Sequence, residues 1–221
     1  MAQSALLKSS IMKKVAMALS GLFLISFLAL HVSLNLVSVF SADAFNAASH
    51  FMGYNPVVQF VMQPILAFGV VFHFLMGFVL TYRNNVARPI GYAKYNGAAN
   101  ASWASRNMII SGLVVLAFLG LHFYDFWFPE IASKYIHGDL PDATRYYPEL
   151  VAKFHSQVRT GLYCISFLLL AFHLWHGFGS SMQSVGMNNK YSRFLNKVGY
   201  GFAVVVPALF IVVALFHHFN N

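Results

Sequence analysis

The chain is organised as long apolar runs separated by short polar segments. Five runs are long enough to cross a bilayer, which requires about 20 helical residues. Backbone groups in lipid must form hydrogen bonds within their own segment, so each run is predicted to be a helix. The predicted helices, called spans one to five, cover residues 15–40, 57–82, 108–128, 158–178 and 199–219. The expected fold is therefore all-α: an integral membrane bundle of five transmembrane helices in one membrane domain, residues 1–221.

Composition supports a membrane protein and excludes several soluble classes. Hydrophobic residues make up 58% of the chain and charged residues 9%, and the mean hydropathy is +0.62. A soluble domain carries about 25% charged residues. The net charge of +8 does not indicate a nucleic-acid partner, because the basic residues lie between apolar runs. The single cysteine, Cys164, excludes an internal disulfide and a cysteine-ligated iron–sulfur cluster. We detect no low-complexity tract and no long-period repeat.

Loop charges predict the orientation of the bundle. The N-terminal tail and the segments 83–106 and 181–198 together carry ten basic residues and no acidic one. All six acidic residues lie in or beside the other two loops. Because basic loops stay in the cytoplasm, the N-terminus is expected inside and the C-terminus outside. The longest outer loop, residues 129–157, is expected to hold a short surface helix. Pro64 and Pro207 lie inside spans two and five and predict kinks.

Histidines are the polar residues that most need explaining in so apolar a chain. The chain has ten, and each of the first four spans contains one of the following set: His31, His73, His122 and His173. A second histidine, His176, shares span four. A polar side chain in lipid is costly and marks a functional site by default. One such histidine is as readily explained by a hydrogen bond to a neighbouring helix, but four in consecutive helices favour a shared function.

Position along the spans sorts these histidines into two levels. His31 lies 17 residues after Lys14, about 25 Å along span one. His122 lies 16 residues after Arg106, about 24 Å along span three, and so shares its level near the outer side. His73 and His173 lie closer to the inner ends of spans two and four. Two pairs at two depths is the arrangement that two stacked, bis-histidine haems require, and such ligation suits electron transfer.

A short repeated pattern supports the inner pair. Spans two and four both read F-H-x-x-x-G, with Gly77 and Gly177 on the same helix face as their histidines. A glycine there leaves space for a flat ring, although glycines also permit close helix packing. His176 competes with His173 as the ligand from span four. We prefer His173 because of the glycine spacing, and His176 is an alternative donor to a haem propionate or a quinone.

Acidic residues are scarce within the spans, which bears on the alternative functions. Asp125, near the outer end of span three, is the only acidic residue placed in a span, and a transporter is expected to have buried carboxylates. The alternatives are a cytochrome b anchor of another respiratory oxidoreductase, a histidine-dependent metal transporter, and a purely structural anchor.

The ordered set of motifs resembles a known family. It comprises residues 30–35 around His31, residues 44–52, Phe72-His73 with Gly77, Leu121-His122, and Phe172-His173 with Gly177. The chain is similar, over nearly its whole length, to the single-chain dihaem cytochrome b membrane anchor of succinate:quinone oxidoreductases and fumarate reductases. The resemblance implies two haem b groups. His31 and His122 would be the axial ligands of the distal haem, and His73 and His173 those of the proximal haem.

The same resemblance implies partners and a role. A flavoprotein and an iron–sulfur subunit would bind the cytoplasmic face, and electrons would pass between them and membrane quinone, either menaquinone or ubiquinone. Arg83 and Arg106, at the inner ends of spans two and three, are candidates to pair with proximal propionates. Ala171 stands where some members carry a glutamate linked to proton movement, which puts that proton path in doubt. The expected location is a bacterial inner membrane, within the respiratory chain and the tricarboxylic acid cycle.

Overall fold

The computed structural model of the protein describes residues 9–87, 107–187 and 189–220, which are mostly helical and contain no β-strand. In chain order the helices are α1 (Ser10–Phe40), α2 (Ala42–Tyr54), α3 (Val58–Val86), α4 (Met108–His137), α5 (Tyr146–Phe154), α6 (Gln157–Ser184) and α7 (Ser192–Phe219). Within these ranges α1, α3, α4, α6 and α7 are long and apolar enough to cross a membrane. The predicted all-α fold with five spans is confirmed, and the chain is a multi-pass membrane protein. The orientation of its termini stays a prediction.

The two ends of the bundle differ in charge and in covering. We call the end at which α1 begins the basic end, because it carries Lys13, Lys14 and Arg83. We call the opposite end, where α2 and α5 lie, the capped end. Large apolar side chains such as Leu30, Phe68 and Leu168 are exposed along the spans, as a surface that faces lipid requires.

The third span is longer than predicted, because α4 continues through Pro129 to His137. Proline lacks an N–H and its ring crowds the carbonyl four residues earlier, so it normally disturbs a helix. Here a π-helical turn, Phe123–Trp127, comes just before the proline, and the Phe128 N–H bonds to the Phe123 carbonyl five residues back. A similar turn, Val58–Met62, comes just before Pro64 in α3. The local change of helical register lets both helices pass through a proline. The predicted outer loop therefore begins after residue 137 and not at residue 129.

Two short helices cover the capped end. The expected surface helix in the outer loop is α5, and α2 follows α1 directly, beginning where the Ser41 side chain accepts a hydrogen bond from the Ala44 N–H at 3.2 Å. The buried Asn46 side chain of α2 accepts the Tyr147 N–H of α5 at 2.7 Å. The His218 Nδ1–H of α7 donates to the Phe154 carbonyl at the end of α5 at 2.8 Å. These bonds join the capped end to the spans.

A network of ion pairs completes this cap. Glu130 of α4 pairs with both Lys134 and Arg145, and Arg145 also pairs with Glu149 at 3.0 Å. Lys134 donates to the Gly53 carbonyl at the end of α2. Burial lowers the pKa of Arg145, but its bonds and its attraction to the two carboxylates outweigh that effect and raise the pKa above its ordinary value. The guanidinium therefore stays charged and holds α4 and α5 together.

Among the five spans, α7 has the largest share of buried residues, and it packs closely along α6. Gly199 of α7 is buried with its Cα facing the Phe178 ring of α6, and Gly201 has open space beside it. Near the capped end, the buried His217 of α7 contacts the Ser38 hydroxyl of α1, with 2.8 Å between Nε2 and Oγ. These contacts place α7 against both α1 and α6.

The two glycines of α7 provide a matched test of this packing. In Gly199→Ala the new Cβ overlaps the Phe178 ring, so the free energy of unfolding falls by about 1–3 kcal/mol. In Gly201→Ala the methyl group meets no atom within 4 Å, so stability is unchanged or slightly higher. Thermal denaturation of both variants in one detergent measures the difference. Equal melting temperatures for the two variants would contradict the packing described.

Candidate functional site

One histidine pair lies in the half of the bundle nearer the capped end. His31 of α1 and His122 of α4 have ring centroids 5.7 Å apart, with the ring planes at 86°. Aromatic side chains surround both rings: Phe27 and Phe210 contact His31, and Phe118, Phe126 and Tyr163 contact His122. The His122 Nδ1 is buried and has no hydrogen-bond partner among the described residues. This pair therefore lies in a largely apolar, aromatic environment.

A second pair lies nearer the basic end. His73 of α3 and His173 of α6 have ring centroids 6.4 Å apart, with the ring planes at 74°. The Nδ1 of His73 lies 3.0 Å from the Ser20 hydroxyl oxygen of α1, and the Nδ1 of His173 lies 3.2 Å from that of Ser111 of α4. The imidazole of α6 that faces His73 is therefore His173. The described contacts give His176 no place in this pair.

Two glycines show that the pairs lie at different levels. A Cβ built on Gly21 of α1 would lie 3.2 Å from the His73 Cε1, and one built on Gly112 of α4 would lie 3.6 Å from the His173 Cε1. His31 lies ten residues beyond Gly21 on the same helix, about 15 Å along its axis. His122 lies ten residues beyond Gly112, which gives the same separation. The two histidine pairs expected from the sequence are thus neighbours in the structure, at two depths, while their role as ligands stays a prediction.

The spacing within each pair suits a shared metal ion. Two imidazoles bound to opposite sides of one ion, with metal–nitrogen bonds of about 2.0 Å, have ring centroids about 6.4 Å apart. The His73–His173 distance of 6.4 Å equals this value, and the His31–His122 distance of 5.7 Å is slightly shorter. The residues present therefore fit two bis-histidine haems.

The glycines predicted to make space for haem contact side chains of neighbouring helices. A Cβ on Gly77 of α3 would lie 3.7 Å from the Met17 Cε of α1. A Cβ on Gly177 of α6 would lie 3.3 Å from the Met108 Cε of α4. These contacts indicate close helix packing, which is the alternative role that the sequence leaves open for both glycines.

The remaining predicted site residues are less informative. Arg83 lies in the last turn of α3 with an exposed side chain, as the positive-inside pattern also requires. Arg106 lies outside the described residues. His137 and His155 are exposed at the capped end, and His217 joins α1 to α7. None of these three is near either histidine pair in the described contacts.

Asp125 is more deeply placed than its sequence position near the end of span three suggested. Because α4 continues for three more turns, the Asp125 side chain is fully buried between helices. Its Oδ2 accepts a hydrogen bond from the Tyr163 hydroxyl at 2.9 Å and lies 3.2 Å from the Arg159 Nε. Its Oδ1 has no partner among the described residues. The bundle therefore does contain a buried carboxylate, although an arginine compensates its charge.

Four site residues escaped the sequence analysis: Ser20, Gly21, Ser111 and Gly112. Ser20 and Gly21 lie eleven and ten residues before His31. Ser111 and Gly112 lie at the same distances before His122, so the Ser-Gly pair repeats. Aligning spans one and three on their histidines reveals this repeat. The pattern has no fixed period along the chain, because spans two and four repeat at a different offset from spans one and three.

The buried carboxylate gives a test of this part of the bundle. Asp125→Asn keeps the shape of the side chain but leaves Arg159 without its counter-charge, so the free energy of unfolding falls by about 2 kcal/mol. The matched control is Asp139→Asn, the same substitution at an exposed loop residue, which leaves stability unchanged. Denaturant unfolding in detergent compares the two variants. An effect of equal size at both positions would show that Asp125 has no stabilising partner.

Comparison with known proteins identifies no relative of this chain. No protein-family model matches the sequence, no curated protein matches it, and no solved structure matches the fold. The dihaem family therefore stays a resemblance carried by the quoted residues. The function has to be argued from the geometry and chemistry of the two histidine pairs.

Proposed function

We propose that this chain is the dihaem cytochrome b membrane anchor of a succinate:quinone oxidoreductase or fumarate reductase. It would hold two haem b groups that carry electrons between an iron–sulfur subunit and membrane quinone, menaquinone or ubiquinone. His31 and His122 would be the axial ligands of the distal haem, and His73 and His173 those of the proximal haem. The complex would belong to a bacterial inner membrane.

One observation carries the proposal: two cross-helix histidine pairs lie about 15 Å apart along the same four helices. A structural histidine needs one hydrogen-bond partner, as His217 has in Ser38. Each of these four imidazoles also faces a second imidazole, with ring centroids 6.4 Å apart in one pair and 5.7 Å apart in the other, close to the separation that one shared ion requires. Four unrelated structural histidines would have no reason to pair in this way.

The environment of each pair suits one-electron chemistry. When bound, haem supplies a metal centre that takes up and releases single electrons without an open ligand site. The aromatic side chains around His31 and His122 exclude water and keep the local dielectric constant low. The four helices fix each imidazole from a separate direction, so little rearrangement accompanies a change of charge at the centre.

Fewer structural observations support the proposed partners and location. The basic end carries Lys13, Lys14 and Arg83, which suits contact with a soluble subunit, and the positive-inside pattern would face this end to the cytoplasm. Arg83 and Arg106 stay candidates for haem propionates, and His176 for a propionate or a quinone. The family resemblance, rather than these residues, suggests the flavoprotein and iron–sulfur subunits.

Haem content tests the proposal directly. The purified chain is expected to contain two haem b by pyridine haemochrome assay. His31→Ala and His173→Ala should each lower the content to one, because each removes an axial ligand of a different group. The matched control is His155→Ala, an exposed histidine at the capped end, which should retain both. A folded preparation that binds no haem would remove the electron-transfer function and favour a histidine-dependent metal transporter.

The partners require a separate measurement. Purification of the chain from its native membrane should bring down a subunit with covalently bound flavin and one containing iron–sulfur clusters. Succinate should then reduce the haems in the purified complex. A haem-containing complex without flavin, or one reduced by hydrogen or formate only, would indicate an anchor for a different respiratory oxidoreductase.

A further inference from the structure

The two serines beside the His73–His173 pair make the same pair of contacts. The Ser20 hydroxyl donates to the Met17 carbonyl at 2.8 Å and lies 3.0 Å from the His73 Nδ1. The Ser111 hydroxyl donates to the Met108 carbonyl at 2.9 Å and lies 3.2 Å from the His173 Nδ1. Both serines therefore link a backbone carbonyl of their own helix to an imidazole of the next helix.

The hydrogen count of a serine fixes the protonation of these imidazoles. A hydroxyl group has one hydrogen and two lone pairs. A carbonyl can only accept, so the hydroxyl hydrogen is used in the bond to Met17 or Met108. The serine oxygen must then accept from the imidazole, which requires a proton on the Nδ1 of His73 and of His173. In a neutral imidazole this leaves the Nε2 without a proton, which is the form that binds a metal.

These contacts belong to an internal repeat of two-helix units. Residues 17–31 and 108–122 share the pattern M-x-x-S-G-L-x-x-x-x-F-L-x-L-H and are identical at eight positions. The partner helices share F-H-x-x-x-G at residues 72–77 and 172–177. The structure repeats the contacts as well as the sequence pattern. In each unit the serine contacts the histidine of the partner helix, and the methionine lies beside the glycine of that helix. A single contact of this kind would be explained by chance, whereas the same contact in two equivalent units indicates a role for the serine.

We propose that Ser20 and Ser111 are positioning residues that select the metal-binding tautomer of His73 and His173 and set the electron donation of both imidazoles. This inference rests on the proposed function, because it concerns the ligands of the proposed proximal haem. An Nδ1–H that donates to an oxygen makes the Nε2 a stronger electron donor to a metal. Each serine therefore acts through its histidine and stabilises the oxidised state of the bound iron.

Substitution of the serines in the full, haem-containing chain tests this role. Ser20→Ala and Ser111→Ala should each raise the midpoint potential of one haem, the one that His173→Ala removes, and leave the other potential unchanged. The double variant should raise the same potential further. The low-spin electron paramagnetic resonance signal of that haem should also shift, because each freed imidazole can rotate about its bond to the iron.

The chain offers a matched control and a rescue. Ser26 lies on the same helix as Ser20, and its hydroxyl donates to the Phe23 carbonyl in the same way, but it contacts no histidine in the described structure. Ser26→Ala should leave both potentials unchanged. Ser20→Thr and Ser111→Thr keep the hydroxyl group and should restore the parent potential and the parent resonance signal, including where the alanine variant has lost the haem.

The outcomes separate this inference from the proposed function. Two haems in the parent chain with unchanged potentials and signals in both alanine variants would overturn the serine role and leave the dihaem proposal standing. An equal shift in Ser26→Ala, or failure of both threonine variants to restore the parent values, would also overturn it. A parent chain without haem b would remove the proposed function itself.

Discussion

The structure depends on one constraint, that an imidazole within the apolar part of a bilayer must have a partner. The partners of His31, His73, His122 and His173 lie on other helices, so each of these four side chains joins two helices. His73 joins α3 to α1 through Ser20 and to α6 through His173. His122 similarly joins α4 to α1 through His31. Because lipid offers no hydrophobic drive for helix association, these polar and aromatic contacts carry much of the specificity of the bundle.

The bundle also depends on helices that continue through a proline. The π-helical turn at Phe123–Trp127 lets α4 continue through Pro129, and this extension has two consequences. It carries Glu130 and Lys134 to the cap, where they join α2 and α5. It also places Asp125 inside a continuous helix, where Tyr163 and Arg159 surround it. An end to the helix at Phe128 would have left Glu130 and Lys134 in a loop and Asp125 in the last helical turn.

The spans and the pairing of the histidines were predictable from the sequence, and the local departures from regular helix were not. Continuous apolar runs are sufficient to place all five spans, because the bilayer sets both length and composition. Counting residues from the charged ends is sufficient to pair His31 with His122 and His73 with His173. The course of α4 beyond Pro129 could not be predicted, because a proline normally marks the end of a helix and a single π turn leaves no compositional trace. The serine contacts were accessible in principle, since the Ser-Gly pair recurs at a fixed distance before His31 and His122, but only after spans one and three are aligned on those histidines.

Each level takes one histidine from each of the two repeated units, and the two levels have different surroundings. At the His73–His173 level, hydroxyl oxygens satisfy both Nδ1 atoms from within the same two-helix units. At the His31–His122 level the described hydrogen bonds include no serine, the His122 Nδ1 has no partner among the described residues, and the buried Asp125 follows three residues later on α4. An imidazole whose Nδ1–H donates to an oxygen is a stronger electron donor through its Nε2 than one whose Nδ1 has no partner. The two units thus form two histidine pairs that differ chemically, because a serine contacts each imidazole of one pair and aromatic side chains surround both imidazoles of the other.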